Sequence, residues 1–297
     1  MIPSHAITIP VRYDECDMYG HVNHAAYLRY MQEAAFAASA AVGYDPPRYE
    51  AIQRAWLVRE SDVEYLAPLR YCDVVEVKTW VVDFRRVRSR RIYELRRKGS
   101  ENLAARAITD WIFINRHSQR PTSIPQEVVA AYLPDGPPND APPRKPFPEA
   151  PPPPPGVFSQ QRRVQWSDVD PTQHVNNAVY LSYLEDCAVR DAASRGWPMQ
   201  RMLEEGGFAI VARRYRIEYR QQALLDDELE VATWISDVKR ATAVRHYTIR
   251  RKRDGELLTR AWALWVWVDI QSGRPVRIPE SFIADFSPNI VDRERER

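Results

Sequence analysis

Cysteine, net charge and long apolar runs are all scarce in this chain, and each shortage removes a class of protein. Only three cysteines occur in 297 residues, an odd number with no CxxC spacing. No disulfide framework is expected, and reduced thiols point to a cytoplasmic protein. The longest apolar run, around Ala261–Val268, falls far short of the roughly 18 residues that a membrane helix needs. The opening MIPSHAITIP has no basic segment leading into an apolar one, so no secretory signal is expected. The net charge is only +2, and the basic residues sit in strand patterns, so nucleic acid is not expected as a partner. Arginines do cluster locally, at Arg85–Arg91 and Arg250–Arg253.

What the chain does have is a repeat. Val11–Ala34, VRYDECDMYGHVNHAAYLRYMQEA, returns without a gap as Val164–Cys187, VQWSDVDPTQHVNNAVYLSYLEDC. The copies share a Val, an aromatic, an acidic residue, and then Asp17 with Asp170. His21-Val22-Asn23 matches His174-Val175-Asn176, followed by Ala25/Ala178, Tyr27/Tyr180, Leu28/Leu181 and Tyr30/Tyr183. His174 stands 153 residues after His21, close to half the chain. A polar cluster ahead of a helical pattern, recurring at half-chain spacing, means two similar units in tandem. The length suits two domains of about 150 residues, each burying its own core.

Each unit reads the same way. Ala6–Tyr13 is a strand, Asp14–His21 a polar loop, and about Asn23–Val42 a helix ended by Gly43 and Pro46-Pro47. Ala55–Leu66, Val74–Phe84, Arg90–Lys98 and Leu103–Asn115 then alternate with period two, as four strands. In the second unit the series is a strand at Phe158–Trp166, a loop at Ser167–His174 and a helix at Asn176–Ser194. Strands follow at Phe208–Tyr219, Glu228–Val238, Ala243–Lys252 and Leu257–Ile270. The likeness continues through them, with Thr79-Trp80 against Thr233-Trp234 and Trp111 against Trp265. An antiparallel sheet must cover one face, and the single long helix is the element available to do so. An α+β unit follows, with the sheet wrapped around its helix.

Between the units lies PDGPPNDAPPRKPFPEAPPPPPG, Pro134–Gly156. Its prolines predict a stiff polyproline II rod of about 15 Å at ~3.1 Å per residue, read as an interdomain linker; a docking site for a proline-binding module is the other reading. The expected domains are therefore 1–133, the linker 134–156, 157–290 and a charged tail from 291 to 297.

The pattern aromatic-x-[DE]-x-D-x-x-x-H-V-N-[NH]-A-x-Y, opening a long helix before an antiparallel sheet, resembles the hotdog-fold thioesterases. The first copy is similar to the 4-hydroxybenzoyl-CoA thioesterase family, and the second to the acyl-ACP thioesterases, which carry two hotdog units in one chain. The resemblance covers nearly all of both units. It implies two tandem hotdog units paired as a pseudo-dimer. It also implies hydrolysis of an acyl-CoA or acyl-carrier-protein thioester without metal or other cofactor. The family's key carboxylate falls on Asp17 and Asp170. The acyl-ACP pattern places an Asn two residues after the Asp and a His two further on; here those positions hold Thr172 and His174, or Tyr19 and His21. Gln173 stands where the first copy has Gly20.

For each of these residues a functional reading competes with a structural one. Asp17 and Asp170 serve as general base or nucleophile, or bond the loop backbone and cap the helix. His21 and His174 orient water or the carbonyl, or brace the loop. Asn23 and Asn176 touch substrate, or act as N-caps. Thr172 replaces the missing Asn, or lies on the surface. Tyr27 and Tyr180 are expected beside the substrate. N–H groups at the helix start are the expected oxyanion donors. Arg85, Arg86, Lys239 and Arg240 either meet coenzyme A phosphates or an acidic carrier, or form a solvated turn. Cys16 is not expected to act, because its counterpart is Val169. The aromatic strand Ala263–Ile270 lines an acyl channel or packs the core. A hotdog dehydratase or hydratase and a non-catalytic acyl-binding scaffold are the rival functions. Assembly into homo-oligomers stays open.

Overall fold

The computed structural model describes residues 3–136, 138, 141–204 and 206–291. The chain divides into two compact units, Met1–Pro146 and Phe147–Arg297, and the boundary falls inside the proline-rich segment. The charged tail at 292–297 lies outside the described residues.

In the first unit, β1 (Ser4–Pro10) leads through a single 3-10 turn (Tyr13–Glu15) into α1 (His24–Ala41) and α2 (Pro46–Ala51). Strands β2 (Arg54–Tyr65), β3 (Val74–Arg85), β4 (Arg88–Arg97) and β5 (Leu103–Asn115) and the short α3 (Gln126–Tyr132) complete it. The strands pair antiparallel throughout in the order β1-β3-β4-β5-β2. Helix α1 packs against β1 and β3. It buries Ala25, Ala26, Ala34, Ala35 and Ala38 together with Tyr27, Leu28, Tyr30 and Met31. The alanines let the sheet come close, while each large side chain removed from water contributes about 1.5–3 kcal/mol.

The second unit repeats this plan with β6 (Phe158–Arg163), a 3-10 turn (Trp166–Asp168), α4 (Asn177–Ser194) and α5 (Met199–Glu204). Then come β7 (Phe208–Tyr219), β8 (Glu228–Ser236), β9 (Thr242–Arg251), β10 (Leu257–Asp269) and α6 (Glu280–Phe286). Its sheet order is β6-β8-β9-β10-β7, again antiparallel. No helix among the described residues is long and apolar enough to cross a membrane.

Two local differences from the sequence expectation have physical causes. The first strand of each unit stops early, at Pro10 and Arg163, because an acidic side chain pulls the chain into a turn. Glu15 accepts from the Arg12 backbone N–H at 2.9 Å, and Asp168 from that of Gln165 at 2.9 Å. Helices α2, α3, α5 and α6 were not anticipated, since one or two turns are too short to show a period. They matter for packing: α3 places Val128 and Tyr132 against Tyr44 and Val81. Likewise, α6 places Phe282 and Phe286 against Trp197 and Trp267.

The proline-rich segment is tied down at both ends. On the first unit, Arg144 donates to Asp110 at 2.7 Å and also pairs with Asp83, while Arg90 holds Asp110 through two bonds of 2.8 and 2.9 Å. On the second, the Phe147 ring lies under Arg260 and Arg216, and Trp234 donates to the Pro151 carbonyl at 3.1 Å.

Candidate active site

The duplicated loop is built from its carboxylates outward. The first acid of each copy is a brace. Glu15 accepts from the Tyr30 hydroxyl at 2.6 Å, and Asp168 from the Tyr183 hydroxyl at 2.6 Å, joining the 3-10 turn to the helix behind it. Burial, reinforced by the adjacent carboxylate, pushes both tyrosines well above their ordinary pKa, so they stay protonated donors. This role was missed from sequence. Its signal was present: an acid and a tyrosine fifteen residues apart, in both copies.

The second acid of each copy faces the loop. Asp17 Oδ1 accepts from the backbone N–H of Tyr19 at 2.9 Å and of His21 at 3.3 Å. Asp170 accepts from backbone and side chains. Its Oδ1 accepts from the Thr172 N–H at 2.8 Å and from the Thr172 hydroxyl, and its Oδ2 from Asn176 Nδ2 at 3.1 Å. The Thr172 oxygen also lies 3.3 Å from His174 Nδ1. A hydroxyl has one proton; given to Asp170, it leaves Thr172 an acceptor, so His174 carries its proton on Nδ1. The result is a relay of side chains, His174 to Thr172 to Asp170; in the first unit Tyr19 stands at the position of Thr172.

Burial biases both histidines toward the neutral form. Burial lowers the pKa of His174 below its ordinary value against the opposing pull of Asp170. Burial and then Arg70 lower that of His21. Asn23 and Asn176 are N-caps, accepting from the N–H of Ala25 and Ala178 at 2.9 Å, and Asn176 spends its amide on Asp170 as well. The carboxylate therefore sits beside the positive end of a helix macrodipole, where N–H groups of the first turn point outward along the axis.

Other expected contacts are placed elsewhere. Tyr27 and Tyr180, expected beside the substrate, are core residues at 3% exposure. Their rings pack edge-on against Tyr65 and Tyr219, and Tyr180 accepts from the Ala223 N–H at 2.9 Å, fixing the loop after β7. A large ring at the start of an apolar helix face is drawn inward by the area it buries. Arg85, Arg86, Lys239 and Arg240 lie at the β3–β4 and β8–β9 connections. Val74, at the other end of β3, lies on the side where the chain enters the aspartate loop, as the Val11 N–H donates to the Asp73 carbonyl at 2.9 Å. Eleven residues of strand separate the two ends, about 35 Å at ~3.3 Å per residue. Within its own unit, then, the basic turn is not part of the aspartate site. Burial raises the Cys16 thiol, the opposite of what a thiolate nucleophile needs. Trp267 of the aromatic strand belongs to the core.

Two units, each of five antiparallel strands and one long helix entered through an Asp–His–Asn loop, define a tandem hotdog protein. The family model described as the thioesterase-like superfamily matches residues 11–132 and again 164–286, and the chain belongs to that superfamily. Among named relatives, the acyl-CoA thioesterase YbgC of Haemophilus influenzae is 33% identical over 129 residues, covering 43% of this chain and 93% of that protein. An oleoyl-acyl carrier protein thioesterase of Arabidopsis thaliana is 24% identical over 215 residues. That match takes in 67% of this chain but spans only about half, 53%, of the plant protein. The fold is shared along its length with the 12:0-ACP thioesterase of Umbellularia californica, at TM-score 0.71 and 19% identity, covering 89% of this chain and 94% of that one.

Proposed function

We propose that the protein is an acyl thioesterase that hydrolyses an acyl-CoA or acyl-carrier-protein thioester at the helix-entry loop, with Asp170 as the working carboxylate. The observation that carries this reading is the Asp170–Thr172–His174 relay at the start of α4. Asp170 takes a proton from water, whose oxygen bonds to the thioester carbonyl carbon. The oxyanion forms against N–H groups at the helix start, where the dipole favours negative charge. The C–S bond then breaks, the sulfur leaves with the proton, and the products are a carboxylic acid and a free thiol. Thr172 holds Asp170 in place, and His174, neutral and donating through Nδ1, keeps Nε2 as an acceptor for the attacking water. Membership of the thioesterase-like superfamily supports the reaction class, and the acyl-CoA and acyl-ACP names of the relatives support both carriers as substrates.

The test is free-thiol release from a panel of acyl-CoAs and acyl-carrier proteins by wild type, Asp170→Asn and Asp17→Asn. Asp170→Asn is expected to lose about a hundredfold or more in kcat/KM, a typical size for removing a general base. An unchanged Asp170→Asn enzyme would remove Asp170 from the mechanism. Loss in Asp17→Asn alone would move the chemistry to the first unit.

A further inference from the structure

The two units treat one buried arginine differently. In the second unit, Arg245 on β9 is 7% exposed. It donates to Thr233 at 3.4 Å, lies 5.6 Å from the Phe286 ring, and pairs with the fully buried Asp191 of α4 at 2.8 Å. In the first unit, Arg91 on β4 is 6% exposed. It repeats two of those three contacts, with Thr79 at 3.4 Å and the Tyr132 ring at 5.5 Å. The third is missing: the helix position that holds Asp191 in the second copy holds Ala38 in the first. Among the described residues no carboxylate pairs with Arg91.

A guanidinium carries five N–H donors and a charge that burial penalises unless an anion answers it. A ring face and one long hydroxyl bond answer it only in part. Around Arg91 the lining has also become more polar. Ser39 stands where the second unit has Ala192, and Tyr132 where it has Phe286. The Tyr132 hydroxyl donates to Ser39 at 2.6 Å and lies 3.3 Å from that of Tyr49. Ser39 spends its own proton on the Tyr44 carbonyl at 2.6 Å, so the position has lost its built-in acid and Arg91 supplies the charged donors that an oxyanion from outside the chain requires.

We infer that Arg91 is the binding residue for a ligand carboxylate in the first unit, supplied by the far end of an ω-carboxyacyl thioester or by a free carboxylic acid. The acyl form rests on the thioesterase reaction above taking place at the Asp17 loop of the first unit, the outcome that Asp17→Asn reports; the free acid does not. Ala38 lies on the last turns of α1, and fourteen residues of helix, about 21 Å at ~1.5 Å per residue, separate it from the Asp17 loop. A carboxylate at Arg91 is thus held far from that loop, as the end of an extended chain would be.

Calorimetric titration of the full chain with free dicarboxylates of increasing length reads the site without turnover. Thiol release from ω-carboxyacyl-CoAs, against acyl-CoAs of equal length, reads the substrate. The variants are Arg91→Met and Ala38→Asp, the second restoring the acid that the other unit carries naturally and so expected to fold. Wild type should prefer the carboxylated thioester of one length by about tenfold or more, the size of a charged hydrogen bond. Both variants should lose that preference, with Ala38→Asp still hydrolysing plain acyl-CoA as wild type does. Dicarboxylate binding that Ala38→Asp abolishes, without any substrate preference, assigns the site to a free acid. Neither binding nor preference in wild type, or either one unchanged in Ala38→Asp, overturns the assignment. Should no thioester release thiol while Ala38→Asp still abolishes dicarboxylate binding, the hydrolase reading fails and Arg91 as a carboxylate site stands.

Discussion

Gly20 and Gln173 occupy the same point of the duplicated loop, and both take a left-handed backbone, with φ of 72° and 68°. Each follows the loop aspartate by three residues and donates its N–H to that aspartate's carbonyl, at 2.9 and 2.8 Å. The turn is demanded by the loop, and only the first copy meets it with glycine. Gly20→Ala is expected to destabilise the protein by about 1–2 kcal/mol, the cost of a left-handed L-residue. Gln173→Gly should be neutral or stabilising by up to about 1 kcal/mol, because the relieved strain is partly offset by a freer unfolded chain. Urea unfolding midpoints of the two variants check this, and shifts of the same sign would contradict a shared geometry.

Thr172 is expected to matter more to activity than to stability. Thr172→Ala removes the hydroxyl that joins His174 to Asp170, and should lower kcat/KM for thiol release by about tenfold. Thr172→Ser, which keeps the hydroxyl, should recover most of it. Equal rates for Ala and Ser would show that the hydroxyl does not act.

The pH dependence follows from the histidines. His174 and His21 both take up protons less readily in the folded protein than in the unfolded chain. Their contribution to stability is therefore present above the ordinary histidine value of about 6.5 and declines as pH falls below it toward the folded pKa values. Activity that depends on neutral His174 should likewise hold down through that value, with its acid limb below it. NMR titration of the ring protons, beside a pH–rate profile, measures both; a His174 midpoint above about 6.5 would reverse the expected sign.

Tyr183 and Asp168 test the brace. Tyr183→Phe leaves the buried carboxylate one donor short and should cost about 1–3 kcal/mol. Tyr30→Phe should cost a similar amount through Glu15. The readout is chemical unfolding, and an unchanged midpoint in both would show that the turn is held by its backbone bonds alone.

Gly156 closes the proline-rich segment against the second unit. A Cβ there would clash with the Pro288 carbonyl oxygen, while the Gly156 N–H donates to that same oxygen at 3.0 Å. Gly156→Ala is expected to destabilise by about 1–3 kcal/mol through overpacking, measured by thermal unfolding.

The repeat, the long helices and the strand series were legible because they rest on local periodicity. Alanines at helical spacing make a face, and alternation makes a strand, whatever the partner turns out to be. The short α3 and α6 were not legible, since seven residues hold too little period and Pro125 and Pro279 mark only their starts. At the site, Asp17 and Asp170, the histidines and the capping Asn residues could be picked out because the same spacing occurs twice.

The sequence by itself thus determined the tandem plan, the element order and the residues that crowd each loop, all consequences of pattern along the chain. Tertiary structure alone decided what those residues bond. It turned Tyr27 and Tyr180 inward, because rings at the head of an apolar face gain most by burial. It made Thr172 the link between His174 and Asp170. It also brought Arg245 to Asp191, 54 residues away, while leaving Arg91 without an acid among the described residues. Such pairings depend on which strands and helices meet in space, and spacing along the chain does not carry that distance.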